Sequence, residues 1–269
     1  MKKLKKSVYA ILIGVLSLAV VGCSSDKEEK NQLQAIKDKG VLTIGTSADY
    51  PPYEFHKEID GKDTIVGFEM MIAEDIAKDL GVKLEIKDMK FDGLLGALKS
   101  GNVDMVVAGM SPTEERKKAV DFTDTYYNGE HVILVKKENK DKYKSIADLS
   151  DAKIGVQKAS LQESIAKDVI KSKDIKSLGK ISDVILELQN NNVDAVVVSK
   201  EAIGGYLKQY PDIVQSTVSL GQGKEEGSAI AINKGQNKEL LNEVNKAIDK
   251  LQSENKINEY VQQATQLAQ

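Results

Sequence analysis

Two distant stretches of this chain repeat one another. Leu98-Lys-Ser-Gly-Asn-Val-Asp104-Met-Val-Val-Ala108 parallels Leu188-Gln-Asn-Asn-Asn-Val-Asp194-Ala-Val-Val-Val198. Each reads as a helix end, a Gly/Asn turn and a buried strand opened by Asn-Val-Asp. Met twice, the unit implies two lobes of related architecture. The competing explanation is an accidental likeness between two ordinary helix–turn–strand joints. The surrounding pattern is the same in both halves. Val41 to Gly45 reads as a strand. Ala73, Ile76, Ala77 and Leu80 recur at i, i+3, i+4, i+7 on a helix that Gly81 stops, and Val82, Leu84 and Ile86 alternate with charges as a half-buried strand. Leu94 to Leu98 follows as a helix and Met105 to Ala108 as a strand. The second half offers strands at Lys153 to Val156, Ile175 to Leu178 and Asp194 to Val198. Helices are expected there at Leu161 to Ile170, Val184 to Leu188 and Glu201 to Leu207. A strand at Ala229 to Ile232, a helix at Glu239 to Gln252 and a short helix around Ile257, Tyr260 and Val261 end the chain. Alternation of this kind predicts an α/β fold with helices on both faces of its sheets.

The N-terminus sets the compartment. Lys2, Lys3, Lys5 and Lys6 precede a short apolar run from Val8 to Val21 that closes on Gly22-Cys23 and turns abruptly polar. The run is shorter than the ~20 residues that span a bilayer, and the arrangement is that of a secretory leader. Residues 1–22 are therefore expected to be a signal peptide. The only cysteine of the chain stands at the cut, which excludes a disulfide framework or a multi-cysteine metal site. Residues 23–32, polar throughout after Cys23, read as a tether. Removing the leader's four lysines takes the formal charge from −3 to about −7, and an acidic body argues against nucleic acid as partner. With two histidines far apart, His56 and His131, neither a metal site nor a cofactor is expected.

Five segments then match one family in order. Gly40-Val-Leu-Thr-Ile-Gly-Thr-Ser-Ala-Asp-Tyr-Pro-Pro-Tyr-Glu-Phe55 resembles the opening of the polar amino-acid solute-binding proteins, the two-lobed type II receptors of ABC importers. Val66-Gly-Phe-Glu-Met70, Phe91-Asp-Gly-Leu-Leu95, Val106 to Arg116 with Val120 to Tyr127, and Ile154 to Glu163 continue the match. The Val-Gly-Cys23 ending is similar to a bacterial lipobox, which implies a diacylglyceryl group on the Cys23 sulfur. The resemblance implies two α/β lobes joined by two hinge strands, with ligand in the cleft between them. Lobe 1 would comprise 33–129 with 219–269, and lobe 2 would comprise 130–218. It also implies a free amino acid as ligand, an ABC permease as partner, a monomer, and lipid anchoring on the outer face of the cytoplasmic membrane of a Gram-positive bacterium.

Site residues carry over position by position. Arg116, the only arginine among 38 basic residues, matches the family's carboxylate ligand in the Ser111-to-Arg116 segment, where a guanidinium offers two parallel hydrogen bonds. Tyr50 and Phe91 match the pair that sandwiches the ligand side chain, a setting for a flat amide or a cation; Tyr53 may join them or pack in the core with Phe55. Ser47, Ala108, Gly109, Gln157 and Ser199 fall just after expected strands, where open α/β sheets bind ligands. Ser160, Leu161 and Gln162 open a helix whose first N–H groups suit an anion. Two departures stand out. Ser199 takes a place where many relatives carry an acid for the ligand amine, and Ser47 one where some cation binders carry aspartate. Glu201 is expected to lie too far into the next helix to help, leaving hydroxyls, carbonyls and water to meet the amine. No second arginine is available for an acidic side chain. A dehydratase-like enzyme on the same fold, or a sensor or adhesin, are the alternatives. Neither histidine falls on a family ligand position, and no nucleophile–base pair is visible.

Overall fold

The computed structural model describes residues 31–220, 227–235 and 237–268. The leader, Cys23 and the tether up to residue 30 lie outside the described residues. A helix begins at Gln32, inside the stretch expected to be tether, because Asn31 Oδ1 accepts the Leu33 N–H at 3.0 Å and caps it.

The chain forms two five-stranded sheets. The first has the order Lys83–Asp88, Val41–Thr46, Met105–Val106, Ala231–Asn233, Val120–Phe122. The second has the order Asp174–Leu178, Lys153–Gln157, Ala195–Ser199, His131–Lys136, Ile213–Gln215. In each sheet the first three strands pair in parallel, and the fourth runs antiparallel to both neighbours. That fourth strand is the first one laid down after the chain crosses over from the other sheet.

The repeated unit does the same work in both sheets. Asp104 Oδ2 accepts the Thr43 N–H at 2.8 Å while its own N–H donates to the Thr43 carbonyl at 2.7 Å. Asp194 makes the same reciprocal pair with Lys153, both bonds at 2.8 Å. The turn before each acid adopts a left-handed residue, Gly101 and Asn191. Gly45 and Gly155 occupy matching places one residue into the pairing. A methyl group at Gly155 would lie 2.9 Å from Val184 Cγ1, and one at Gly45 would lie 3.2 Å from Leu94 Cδ2. Both glycines thus let a helix sit close against the sheet. This shared geometry favours related lobes over accidental likeness.

Each sheet is buried on both faces. In the first, Phe68, Ile72, Ile76, Val244 and Ile248 cover one side and Leu94, Leu98 and Val103 the other. In the second, Val184, Ile185 and Leu188 face one way, and Val135, Ile154 and Ala166 the other. Regular strand at the third and last positions is shorter than expected. The regular strands end at Val106 and begin at Ala231, although Val107 N–H still donates to the Gly45 carbonyl, Ala229 N–H to the Met110 carbonyl and Thr123 N–H to the Ile230 carbonyl, each at 3.0 Å. A meander of Asp49–Tyr50, Glu54–Ile59 and Lys62–Val66 has no counterpart in the sequence reading.

The two crossing segments run side by side. Tyr126 N–H donates to the Ser228 carbonyl at 3.0 Å, and Ser228 N–H to the Tyr127 carbonyl at 2.7 Å. At Gly227 a side chain would lie 2.1 Å from Asn128 Oδ1, so only glycine fits this crossing. Two backbone hydrogen bonds thus tie the crossing segments to each other.

Candidate ligand-binding site

One cavity lies where the two sheets present the carboxyl ends of their parallel strands. All twelve residues expected at a ligand site line it: Ser47, Tyr50, Phe91, Ala108, Gly109, Ser111 and Arg116 from the first-sheet side, and Gln157, Ser160, Leu161, Gln162 and Ser199 from the second. Tyr53 lines it too, although it is buried and stacks on Phe68 and Tyr50. Its two expected places, cavity and core, are both correct.

Arg116 sits in the short helix Glu114–Lys117, capped by Thr113 Oγ1. Its Nη1 donates to the Ser111 carbonyl at 2.7 Å and its Nη2 crosses to the Ala159 carbonyl at 2.8 Å. The guanidinium lies over the Phe91 ring, 5.4 Å from its centroid, a cation–π contact that holds its plane. Ala159 supplies that carbonyl from a left-handed backbone, φ +61°, and its N–H donates to Glu163 Oε2 at 2.7 Å. The helix expected at Leu161 to Ile170 is four α residues, Leu161–Ser164, followed by a π turn at Ile165–Val169. Ser160 Oγ is already committed, donating to the Gln157 carbonyl at 2.6 Å and accepting from Glu163 N–H at 3.2 Å. What this corner offers an anion is therefore local backbone amide rather than the dipole of a long helix.

The lining also holds an acid that the sequence reading did not single out. Glu54 lines the cavity, is 1% exposed, and its Oε2 has no hydrogen-bond partner among the described residues. Beside it, Glu69 is fully buried. Glu69 Oε1 accepts from Tyr126 Oη at 2.6 Å and Oε2 from Gly109 N–H at 2.8 Å. Burial pushes both carboxyls up; the Tyr126 hydroxyl and Gly109 amide oppose this at Glu69, while the charge of Glu69 drives Glu54 up further. An acid wedged between Tyr53 and Phe55 in a buried segment was the available signal, because such a charge is expensive without a function.

Two expectations at the amine end change. Glu201 lies in a 3-10 turn, Lys200–Ala202, that folds it back so that its Oε2 accepts from Ser199 Oγ at 2.7 Å. The same oxygen approaches the Cα of Gly129 so closely that a methyl there would be 2.7 Å away. Its negative charge thus stands directly behind Ser199, closer than the expected helix allowed. His131, assigned no ligand position, lines the cavity with Nδ1 3.4 Å from Gln162 Nε2, and burial pushes its pKa down, keeping it neutral. Gly129, Gly227 and Ser228 of the crossing segments complete the lining; nothing in their local sequence marked them.

The family follows from comparison. Residues 42–266 match the model of bacterial extracellular solute-binding proteins, family 3. The chain belongs to that family. It is 35% identical over 251 residues to the arginine-binding extracellular protein ArtP of Bacillus subtilis, covering 93% of each. A probable histidine-binding protein of Campylobacter jejuni is also 35% identical over 251 residues, covering 93% of this chain and 95% of that one. Among solved structures, an amino acid ABC transporter substrate-binding protein from Streptococcus pneumoniae bound to L-arginine superposes with TM-score 0.83 at 36% identity, covering 88% of this chain and 98% of that one. Members of family 3 are two-lobed extracellular binding proteins, and the architecture here is theirs.

Proposed function

We propose that this protein captures a free amino acid with a cationic or flat polar side chain and hands it to an ABC import permease. The observation that carries the reading is the placement of Glu54, a buried carboxyl with an oxygen that lacks a hydrogen-bond partner among the described residues, in the same cavity as Arg116. Arg116 and the amides at Ser160 to Gln162 receive the α-carboxylate. Ser199, backed by Glu201, receives the α-amine. Tyr50 and Phe91 flank the side chain, and Glu54 meets its far end. The relatives named for arginine and histidine support the same class. An acidic side chain would meet Glu54 and Glu69 with like charge.

The remaining assignments accompany this reading. Residues 1–22 are a signal peptide, and Cys23 carries the lipid that anchors the monomeric receptor outside a bacterial, Gram-positive cytoplasmic membrane. The lobes comprise 33–129 with 219–269, and 130–218. The cavity is read as serving binding, in keeping with the binding proteins that the chain resembles. Thermal unfolding of the mature protein against the twenty amino acids tests the reading. At a hundredfold excess over Kd the true ligand adds roughly 2.7 kcal/mol, with arginine, lysine, histidine or glutamine expected to lead. Strongest stabilisation by glutamate or aspartate would overturn it.

A further inference from the structure

The helix Ile181–Gln189 of the second lobe lacks a cap of its own. Lys180 stands at its N-cap position without a side-chain hydrogen bond. The acceptor comes from the other lobe instead. Asp49 Oδ2 accepts from Ser182 N–H at 3.0 Å and from Ser182 Oγ at 3.2 Å. The Asp49 carbonyl accepts from Tyr206 Oη, also of the second lobe, at 2.6 Å. Asp49 Oδ1 in turn accepts from Ser47 Oγ at 3.2 Å, and Tyr50 is the next residue. Asp49 itself does not line the cavity. Beside this contact Lys180 pairs with Asp88 of the first lobe at 3.0 Å, and Asp88 Oδ1 accepts from Ala48 N–H at 2.8 Å.

A helix end whose cap is supplied across a cleft is satisfied only while the cleft is shut. When the lobes part, Ser182 N–H and Tyr206 Oη lose partners that nothing within their own lobe replaces in kind. The exposed cross-lobe pair Lys158–Asp92, 2.9 Å long, adds little because water and salt screen it. Asp49 differs in giving three directed bonds at a half-buried place, on the residue that joins Ser47 to Tyr50.

We propose that Asp49 is the closure contact of this receptor: a positioning residue that touches no ligand, caps the second lobe's helix across the cleft, and sets how long a bound amino acid is retained. This rests on the reading that the lobes close over a bound amino acid. Closure stabilised outside the cavity slows escape of any ligand equally, so Asp49 governs the off-rate and leaves the choice of amino acid to Glu54 and Arg116.

The test uses the mature protein and L-arginine as probe, with dissociation followed by stopped-flow fluorescence. Asp49→Ala should speed dissociation roughly two- to thirtyfold, the equivalent of a lost helix cap, with little change in on-rate. Asp49→Asn, whose side-chain oxygen caps equally well, should dissociate as slowly as wild type. Tyr206→Phe keeps the ring in its core and should shift the off-rate the same way by less. It serves if Asp49→Ala fails to fold. Equal off-rates in wild type, Asp49→Ala and Tyr206→Phe overturn the proposal. So does Asp49→Asn matching Asp49→Ala, which would make charge toward Lys180 the operative feature. Amide exchange with and without amino acid forms a second arm: Ser182 N–H should gain protection on adding L-arginine to wild type and Asp49→Asn and gain none in Asp49→Ala. If wild type takes up no L-arginine, the cationic-ligand reading fails and the same exchange arm, run with whichever of the twenty amino acids stabilises wild type most, decides the role of Asp49, equal exchange in all three proteins refuting it.

Discussion

The two lobes share a strand order and a joint, yet they bring different chemistry to the cleft. The first lobe supplies the guanidinium of Arg116, the rings of Tyr50 and Phe91, and the buried acid Glu54, with Glu69 behind it. The second supplies hydroxyls, amides and backbone from Gln157, Ser160, Leu161, Gln162 and Ser199. Strong, charge-specific groups on one side and short neutral ones on the other suit a division of labour. Under the proposed function, the first lobe would select and seat the ligand and the second would fold down and complete the hydrogen bonds.

The largest expected effect tests that division directly. Arg116→Ala removes a charged partner from a desolvated cleft and should cost about 2–5 kcal/mol of amino-acid affinity by calorimetry, with the melting profile retained. Ser160→Ala, which unmakes a second-lobe cap, should cost only about 0.5–2 kcal/mol. Equal losses would break the asymmetry.

The shared joint makes the next prediction. Gly45→Ala and Gly155→Ala each push a methyl against a packed helix, an overpacking expected to cost about 1–3 kcal/mol of stability. Gly155→Ala should be the worse, since its new methyl meets Val184 at 2.9 Å, against 3.2 Å at Leu94 for Gly45→Ala. Denaturant midpoints read the difference. If Gly155→Ala is neutral, the second lobe does not pack its helix as the first does.

The smallest effect has two opposite signs. Burial holds the folded-state pKa of Glu54 well above its ordinary 4.5. The group's stabilising contribution is therefore full below pH 4.5 and lost as pH rises through the folded value. Glu54→Gln is neutral at every pH, so at pH 7 it should melt higher, by roughly 2–4 °C per kcal/mol relieved, and the gain should vanish below pH 4.5. Binding of a cationic amino acid should weaken in the same variant. A Glu54→Gln protein that melts lower at pH 7, or binds arginine better, would show that the acidic wall of the first lobe has no part in selection.

Much of this was legible because the physics was local. Val82, Leu84 and Ile86 alternate with charges, and they form a half-buried edge strand. The Asn-Val-Asp joint announced the duplicated unit; the five segments in order located eleven cavity residues, and the end of the strand after Asp194 located the twelfth, Ser199. The helix Gln32–Lys39 escaped because only Leu33 and Ile36 mark its buried face. On the last long helix the buried stripe is Leu240, Val244, Ala247, Ile248 and Leu251, with Leu241 only half-buried. Periodicity alone could not choose between two adjacent leucines. Glu54 and Glu201 were misjudged for a different reason. Their roles depend on Glu69 and Ser199 being brought to them, one by tertiary packing and the other by a turn too tight to read as helix.

The interleaved strand order bears on how the chain is made. The second sheet is built from one continuous stretch, His131 to Gln215, whereas the first lacks its antiparallel fourth strand until Ala231–Asn233 arrives. During synthesis, N-terminus first, Met105–Val106 and Val120–Phe122 wait with unpaired edges while the whole second sheet is made. Contacts of such long sequence separation are formed late and slowly, and open strand edges invite association with other chains. The second lobe should therefore reach its native structure ahead of the first, although the first is begun earlier. The final seventh of the chain, from Ala231 onward, decides when the larger part of the site comes into being.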